Sequence, residues 1–293
     1  MTKFKENRDI DRAIGDNKKI IVFYHKDCTD GFCGAWAAWM KFGDTAEYVG
    51  IEPNAKAPLV NDKEIYTIDV GFLAEENVVL MANNIRLTSI DHHVSRKDSV
   101  PMTQDYSFDL EHSGCVLAWQ YFHPEKPVPK LLSRVEDFDL WRFRLIGTDA
   151  IVSFLDLYDF NFDIYSKLIE DFEDDKKVAG FIEKGKLLLE YENKQVDRAV
   201  SNNAQLAIFE GIKTYVVNAH VYHSRIGARL AEILPPMALI WHEKRHRRYV
   251  SLRSDGTVDV SAMAAKYGGG GHRASAGFTF ELGERFPWEY INE

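Results

Sequence analysis

Leu87-Thr88-Ser89-Ile90-Asp91-His92-His93 runs from apolar and β-branched residues straight into an acid and two imidazoles, and the polar turn Ser95-Arg96-Lys97-Asp98 follows. A short run of this kind reads as a buried parallel strand whose carboxyl end delivers side chains to a crevice. Side chains alternate along an extended chain, so Asp91 and His93 fall on one side and His92 on the other. A bend at the strand end would line all three along one pocket. Alone, paired histidines at a strand end are more economically explained as solvated loop residues. What decides is whether other strand ends carry matching chemistry.

Ile20-Ile21-Val22-Phe23-Tyr24 is an apolar run of strand length with His25 at its end, and Lys26-Asp27-Cys28-Thr29-Asp30-Gly31 is a turn before the helical spacing of Phe32 to Phe42. Strand, polar turn with glycine, helix is the unit that sets ligand-binding groups at a strand's carboxyl end and amides at a helix N-terminus. Ile65-Tyr66-Thr67-Ile68 ends in Asp69-Val70-Gly71, and Ala74 to Asn83 reads as a helix. Ser113 is placed to cap a helix running to Phe122, and Pro124 to Pro129 separates it from a helix ending near Glu136-Asp137-Phe138-Asp139-Leu140-Trp141. Residues 9–15 read as a short leading helix. Strands and helices alternating at these lengths predict a parallel sheet covered on both faces.

Residues 160–203 change character. The acids Asp171, Glu173, Asp174 and Asp175 give way to a long helical pattern with i,i+4 charge pairs through Phe181 to Glu190, read as a helix connecting two domains or, equally, as a continuation of the first. Strands follow at Gln205 to Phe209, Thr214 to Asn218, Met237 to Trp241 and Arg248 to Arg253, with a helix at Arg225 to Ile233 and another at Ser261 to Tyr267. The expected division is a metal-binding domain over residues 1–160, a helical connector over 161–204 and a smaller substrate-binding domain over 205–293.

At 293 residues, with 45% hydrophobic and 28% charged residues, the composition is that of a globular protein with one large or two ordinary cores. No apolar run approaches the ~20 residues that span a bilayer, and Met1-Thr2-Lys3-Phe4-Lys5-Glu6 lacks a signal-peptide core, so no membrane partner is expected. Cys28, Cys33 and Cys115 are too few and scattered for a disulfide framework, which makes a reducing cytoplasm the expected location. A net charge of −9 argues against binding long duplex nucleic acid, which needs a broad basic face.

Hard or imidazole ligands therefore gather at His25/Asp27/Asp30, Asp69, Asp91/His92/His93 and Asp137/Asp139, and a parallel sheet sets the first three side by side. Each acid alone is readily a turn former. Together, about two histidines and four carboxylates suit a pair of Mn²⁺ or Mg²⁺ ions rather than a thiolate-built structural zinc. Two such ions about 3.5–4 Å apart can stabilise both attacking and leaving oxygens of a phosphoryl transfer.

His25-Lys26-Asp27-Cys28-Thr29-Asp30-Gly31, Asp69, Asp91-His92-His93 and Glu136-Asp137-Phe138-Asp139, followed by Ser251-Leu252-Arg253-Ser254 and Gly268-Gly269-Gly270-Gly271-His272-Arg273-Ala274-Ser275-Ala276-Gly277-Phe278, resemble in order the motifs of the DHH phosphoesterase superfamily, in the branch carrying a DHHA1 domain. The resemblance spans residues 20 to 280. It implies an α/β protein with a parallel-sheet DHH domain, a smaller α/β DHHA1 domain with a mixed sheet, and a cleft between them. It further implies one metal on His25, a first-turn acid and Asp69, and a second on a first-turn acid, the bridging Asp69, His92 and Asp137. His93 would face the phosphate and Asp91 would orient a histidine. One departure stands out. Relatives space the first-turn acids as D-x-D, whereas Asp27 and Asp30 lie three apart and Cys28 occupies the place of an acid. Asp30, which precedes Gly31 as the pattern requires, fits better than Asp27, and Asp137 fits better than Asp139.

Glycines let a backbone approach a phosphate closely, so Gly269, Gly270 and Gly271, with the donors of His272, Arg273 and Arg253, are the expected substrate contacts. Lys244-Arg245-His246-Arg247-Arg248 could guide a short nucleic acid, and serves equally as a solvated hairpin tip. His112, His123, His220, His223 and His242 are read as ordinary structural histidines. The implied activity is hydrolysis of phosphoester bonds in short oligonucleotides or small nucleotides with two divalent ions, Mn²⁺ ahead of Mg²⁺. A polyphosphatase or bisphosphonucleotide phosphatase is the near alternative, and a non-hydrolysing nucleotide-binding protein the distant one. A homodimer is left open.

Overall fold

The computed structural model describes residues 18–53, 55–244 and 247–291. The leading helix expected at residues 9–15 lies outside them, as do Arg245 and His246 of the basic run. The chain divides between Leu188 and Leu189 into two compact units.

The first unit runs β1 (Ile20–His25), α1 (Thr29–Phe42), β2 (Ala46–Ile51), β3 (Glu64–Ile68), α2 (Ala74–Asn83), β4 (Arg86–Asp91), β5 (Asp105–Phe108), α3 (Gly114–Phe122), α4 (Lys130–Asp139), α5 (Thr148–Leu155) and α6 (Phe162–Phe172). The boundary falls inside the long helix α7 (Asp175–Asn203). All five strands pair in parallel, in the order β2-β1-β3-β4-β5. Both faces are covered, and the alternation of β1 shows how. Val22 joins Tyr66, Ile68, Trp36 and Trp119 beneath α1 and α3, while Ile21 and Phe23 join Ile65, Leu87 and Leu80 beneath α2. Ile21, Val22 and Phe23 have no exposed surface; burying each such side chain contributes about 1.5–3 kcal/mol.

Two strands, β2 and β5, were not legible as strands. Both lie at sheet edges with one flank open; β2 buries only Ala46, Val49 and Ile51, and β5 fully buries no residue, so neither needs a continuous apolar run. Helix α1 begins at Thr29, three residues before the expected start at Phe32, because the Phe32 amide already donates to Cys28 O at 2.9 Å. That shift moves Asp30 from a turn into the first turn of a helix, where a carboxylate is favoured by the macrodipole.

The strand order has a functional consequence. The connection leaving β1 runs to β2 on one side and the connection leaving β3 runs to β4 on the other, so β1 and β3 flank a switch point. Open α/β sheets bind ligands outside the carboxyl ends of strands at such a point. His25 and Asp69 sit at those ends.

The second unit contains the end of α7, β6 (Gln205–Phe209), β7 (Ile212–Asn218), α8 (His223–Ile233), β8 (Met237–Lys244), β9 (Arg247–Ser254), α9 (Val260–Ala265), β10 (Gly270–His272), β11 (Ser275–Glu281) and β12 (Trp288–Tyr290). Its sheet is mixed: β7 and β8 are parallel and the remaining pairs antiparallel, in the order β10-β11-β9-β8-β7-β6-β12. Met237 and Leu239 of β8 pack with Val260 and Ala264 of α9, while Ala238 and Ile240 pack on the other face with Ile226 and Leu230 of α8 and Val196 of α7. Among the described residues no helix is long and apolar enough to cross a membrane.

Candidate metal centre

The carboxyl ends of β1, β3 and β4 bring His25, Asp69, Asp91, His92 and His93 together, and the first turn of α1 and the last turn of α4 add Asp30 and Asp139. Asp69 is the hub. Its backbone adopts φ 57°, a left-handed conformation that Asp tolerates better than most residues, and its amide is fixed by Ile90 O at 3.0 Å. The carboxylate serves two sides. Oδ2 lies 3.1 Å from His25 Nδ1 and 3.7 Å from Cys28 Sγ, while Oδ1 lies 3.2 Å from His92 Nε2 and 3.8 Å from His93 Nδ1.

Asp91 is fully buried and braces the histidine pair. Its Oδ1 accepts from the amides of His92 at 2.7 Å and His93 at 3.0 Å and pairs with His93 Nδ1 at 2.7 Å. That bend at the strand end turns both imidazoles to one site, against the strict alternation of an extended strand. Asp30, also buried, caps a different helix: its carboxylate accepts from Gly114 N at 2.7 Å and Cys115 N at 3.1 Å at the start of α3. Ser113 occupies the N-cap position of that helix, as expected, but its side chain makes no capping bond. Gly114 is required by close approach, since a Cβ there would stand 2.6 Å from Asp69 Cβ and 2.9 Å from Asp30 Oδ2.

Two expected ligands stand elsewhere. Asp27 is exposed in a left-handed turn conformation with φ 53° and belongs to none of the ligand clusters among the described residues. Asp137 is buried, but its carboxylate is consumed by Arg144 N at 2.8 Å, Leu145 N at 3.0 Å and Thr148 Oγ1 at 2.6 Å, bonds that hold its pKa below the usual carboxylate range against the effect of burial. Residues two apart on a helix lie on nearly opposite sides. With Asp137 turned to the following loop, Asp139 is the one set beside His92, at 3.5 Å from Nε2. Cys28, set aside in the sequence as an irregularity, joins His25 and Asp69 in one cluster.

The electrostatics fit a cation. Burial by itself would lower the His92 imidazole, yet Asp69, Asp139 and Asp30 raise it to about 10. Burial, aided by Asp69 and Asp139, pushes Asp30 up to about 7. Burial also raises Asp139, whose Oδ2 is enclosed and makes no hydrogen bond among the described residues. Burial would raise Asp69 too, but the bonds from His25 and His92 hold it well below the usual range. A buried cluster with this excess of carboxylate, and an acceptor oxygen left unsatisfied inside it, is the donor set of a hard or borderline divalent ion.

The second unit places the remaining expected residues. Arg253 donates through Nη2 to Ser224 Oγ at 2.7 Å and through Nη1 to Leu252 O at 2.9 Å. Arg273 donates through Nε to Gly256 O at 3.0 Å. In the glycine stretch, Gly270, Gly271 and His272 form β10 against β11. A Cβ on Gly269 would stand 2.1 Å from Gly277 O, and Gly271 has φ 141°, so hairpin packing alone already demands glycine at these two positions.

No family model matches the chain. Among curated proteins it is 27% identical to the uncharacterized protein R106 of Acanthamoeba polyphaga mimivirus, over 93% of this chain and 70% of that one. It is 33% identical to the oligoribonuclease NrnB of Bacillus subtilis (strain 168), in a match covering 35% of this chain and 27% of that protein. Among solved structures, RecJ of Thermus thermophilus in complex with Mn²⁺ aligns with TM-score 0.46 and 14% identity, covering 94% of this chain and 51% of that one. The D-H-H stretch closes a strand of a parallel sheet and the glycine stretch forms a hairpin of a separate mixed sheet, the arrangement that the resemblance of the ordered motifs to the DHH phosphoesterase superfamily and its DHHA1 branch implies.

Proposed function

We propose that the protein hydrolyses phosphoester bonds of short oligonucleotides or small nucleotides, with two divalent ions at the Asp69 centre, Mn²⁺ in preference to Mg²⁺. The observation that carries this reading is Asp69 itself, whose two carboxylate oxygens address separate ligand groups, His25 on one side and His92 on the other. The residues that would hold the ions are His25, Asp30, Asp69, His92 and Asp139. When bound, such ions activate a water and neutralise the charge that builds on phosphate oxygens. The protein's own part is positional. Asp91 fixes the ring orientation and tautomer of His93, which we place against the substrate phosphate. Arg253 and the stretch Gly269 to Arg273 hold the part of the nucleotide away from the scissile bond. The match to the oligoribonuclease NrnB supports a short nucleic-acid substrate.

Chelation tests the chemistry. Activity on a dinucleotide should disappear in EDTA and return with Mn²⁺ more fully than with Mg²⁺, because imidazole donors suit the softer ion. Full turnover by protein shown metal-free by elemental analysis would remove the mechanism.

Substrate selection has its own signature. A charge-assisted contact from Arg253 of about 1.5–3 kcal/mol implies that Arg253→Ala costs about ten- to hundredfold in kcat/KM on a dinucleotide. The loss should be much smaller on bis(p-nitrophenyl) phosphate, which offers no nucleotide to hold. Equal losses on the two substrates would show that Arg253 does not select.

A further inference from the structure

Cys28 is poorly explained by its local structure. It occupies the N-cap of α1, a position that favours Ser, Thr, Asp or Asn, and its side chain makes no capping bond there. Cys33 and Cys115 are core residues with no exposed surface, whereas Cys28 lies only partly buried beside the metal centre. Its Sγ is 3.7 Å from Asp69 Oδ2, the same oxygen that lies 3.1 Å from His25 Nδ1, and the three donor atoms fall within 4.8 Å of one another. A tetrahedral zinc with bonds of about 2.3 Å to sulfur and about 2.0–2.1 Å to nitrogen and oxygen spaces its ligands by about 3.6 Å for sulfur to oxygen and about 3.3 Å for nitrogen to oxygen. The observed separations are close to these before any ion draws the ligands in.

The opposite side of Asp69 differs in kind. Around His92 Nε2 stand Asp69 Oδ1 at 3.2 Å, Asp139 Oδ2 at 3.5 Å and Asp30 Oδ2 at 3.9 Å, which are nitrogen and oxygen donors without sulfur. We propose that Cys28 is a metal ligand, and that the His25–Cys28–Asp69 side takes a thiophilic divalent ion such as Zn²⁺ or Co²⁺ while the His92 side keeps a harder ion; this rests on the metal-centre reading above. Thiolate selects softer ions and carboxylate with imidazole does not, so the centre is asymmetric in the ions it prefers. The thiol proton is released to solvent when the ion binds, as for any thiolate ligand.

Cobalt reports sulfur ligation without any turnover. Titrating the full-length, metal-stripped protein with Co²⁺ should produce the near-ultraviolet charge-transfer absorption of a thiolate–cobalt bond at about one equivalent. Cys28→Ser should lose that absorption while still binding cobalt at the His92 side, and Cys33→Ala should retain it. Cys28→Asp, which restores a carboxylate and needs no hydrophobic repacking, should lose the absorption and bind Mg²⁺ about tenfold more tightly. Cobalt bound without the charge-transfer absorption, or an absorption that survives in Cys28→Ser, overturns the proposal. Failure to bind cobalt at all overturns the metal centre itself and the proposal with it. A protein that shows the absorption yet cleaves no phosphoester upholds Cys28 as ligand and counts against the hydrolase reading alone.

Discussion

Asp69→Asn is expected to remove nearly all turnover on every phosphoester, nucleotide or generic. Asp69 is buried, and its two oxygens face His25 with Cys28 on one side and the D-H-H histidines on the other, so losing its charge strips a ligand from both. Removing one preorganised charge from the place where transition-state charge develops costs roughly a hundred- to a thousandfold in turnover. Asparagine is the informative replacement, because Asp69 has φ 57° and Asn enters that left-handed region about as readily as Asp, whereas alanine would add backbone strain. Steady-state kinetics should be paired with elemental analysis of the dialysed variant, which should hold less than half the wild-type metal. A variant retaining a tenth or more of wild-type kcat/KM with full metal content would show that Asp69 does not bridge.

The second large effect separates two acids that the sequence leaves side by side. Asp139→Asn is expected to cost a hundredfold or more in kcat/KM with little change in melting temperature, because Asp139 Oδ2 lies beside His92 and, among the described residues, makes no hydrogen bond that its loss would break. Asp137→Asn should do the reverse. Its carboxylate accepts from Arg144 N, Leu145 N and Thr148 Oγ1, which pin the chain after α4. Weakening bonds worth about 1.5–3 kcal/mol to a charged acceptor should lower the melting temperature by about 3–10 °C, with kcat/KM at permissive temperature within about threefold. Differential scanning calorimetry beside kinetics at 20–25 °C reads both. If Asp137→Asn instead abolishes activity at unchanged stability, then the carboxylate that serves the metal is Asp137, and the loop bonds exchange during catalysis.

Much of this protein is determined by its sequence alone. Apolar runs such as Ile20 to Tyr24 and Ile65 to Ile68 are too short for buried helices and end in ligand-type residues, so the parallel sheet and the positions of His25, Asp69 and His92 follow from patterning. Strands β6 to β9 of the second sheet are legible for the same reason, since strand periodicity acts over a few residues, whereas its mixed order came only from the family resemblance and the short strands β10 and β12 were not legible. Nor are edge strands β2 and β5, because a strand with one open flank is under little demand to be apolar. What only the tertiary structure decided is which side chain of a near pair reaches the centre. Asp27 against Cys28 turns on where α1 begins, and Asp137 against Asp139 turns on a half-rotation of α4 set by the loop that follows it. Asp30 as the cap of α3 is likewise a contact across 84 residues that no local pattern announces. Local sequence settles which elements form; direction around a helix axis, and hence which of two acids stands beside His92, is set by packing between elements far apart in the chain.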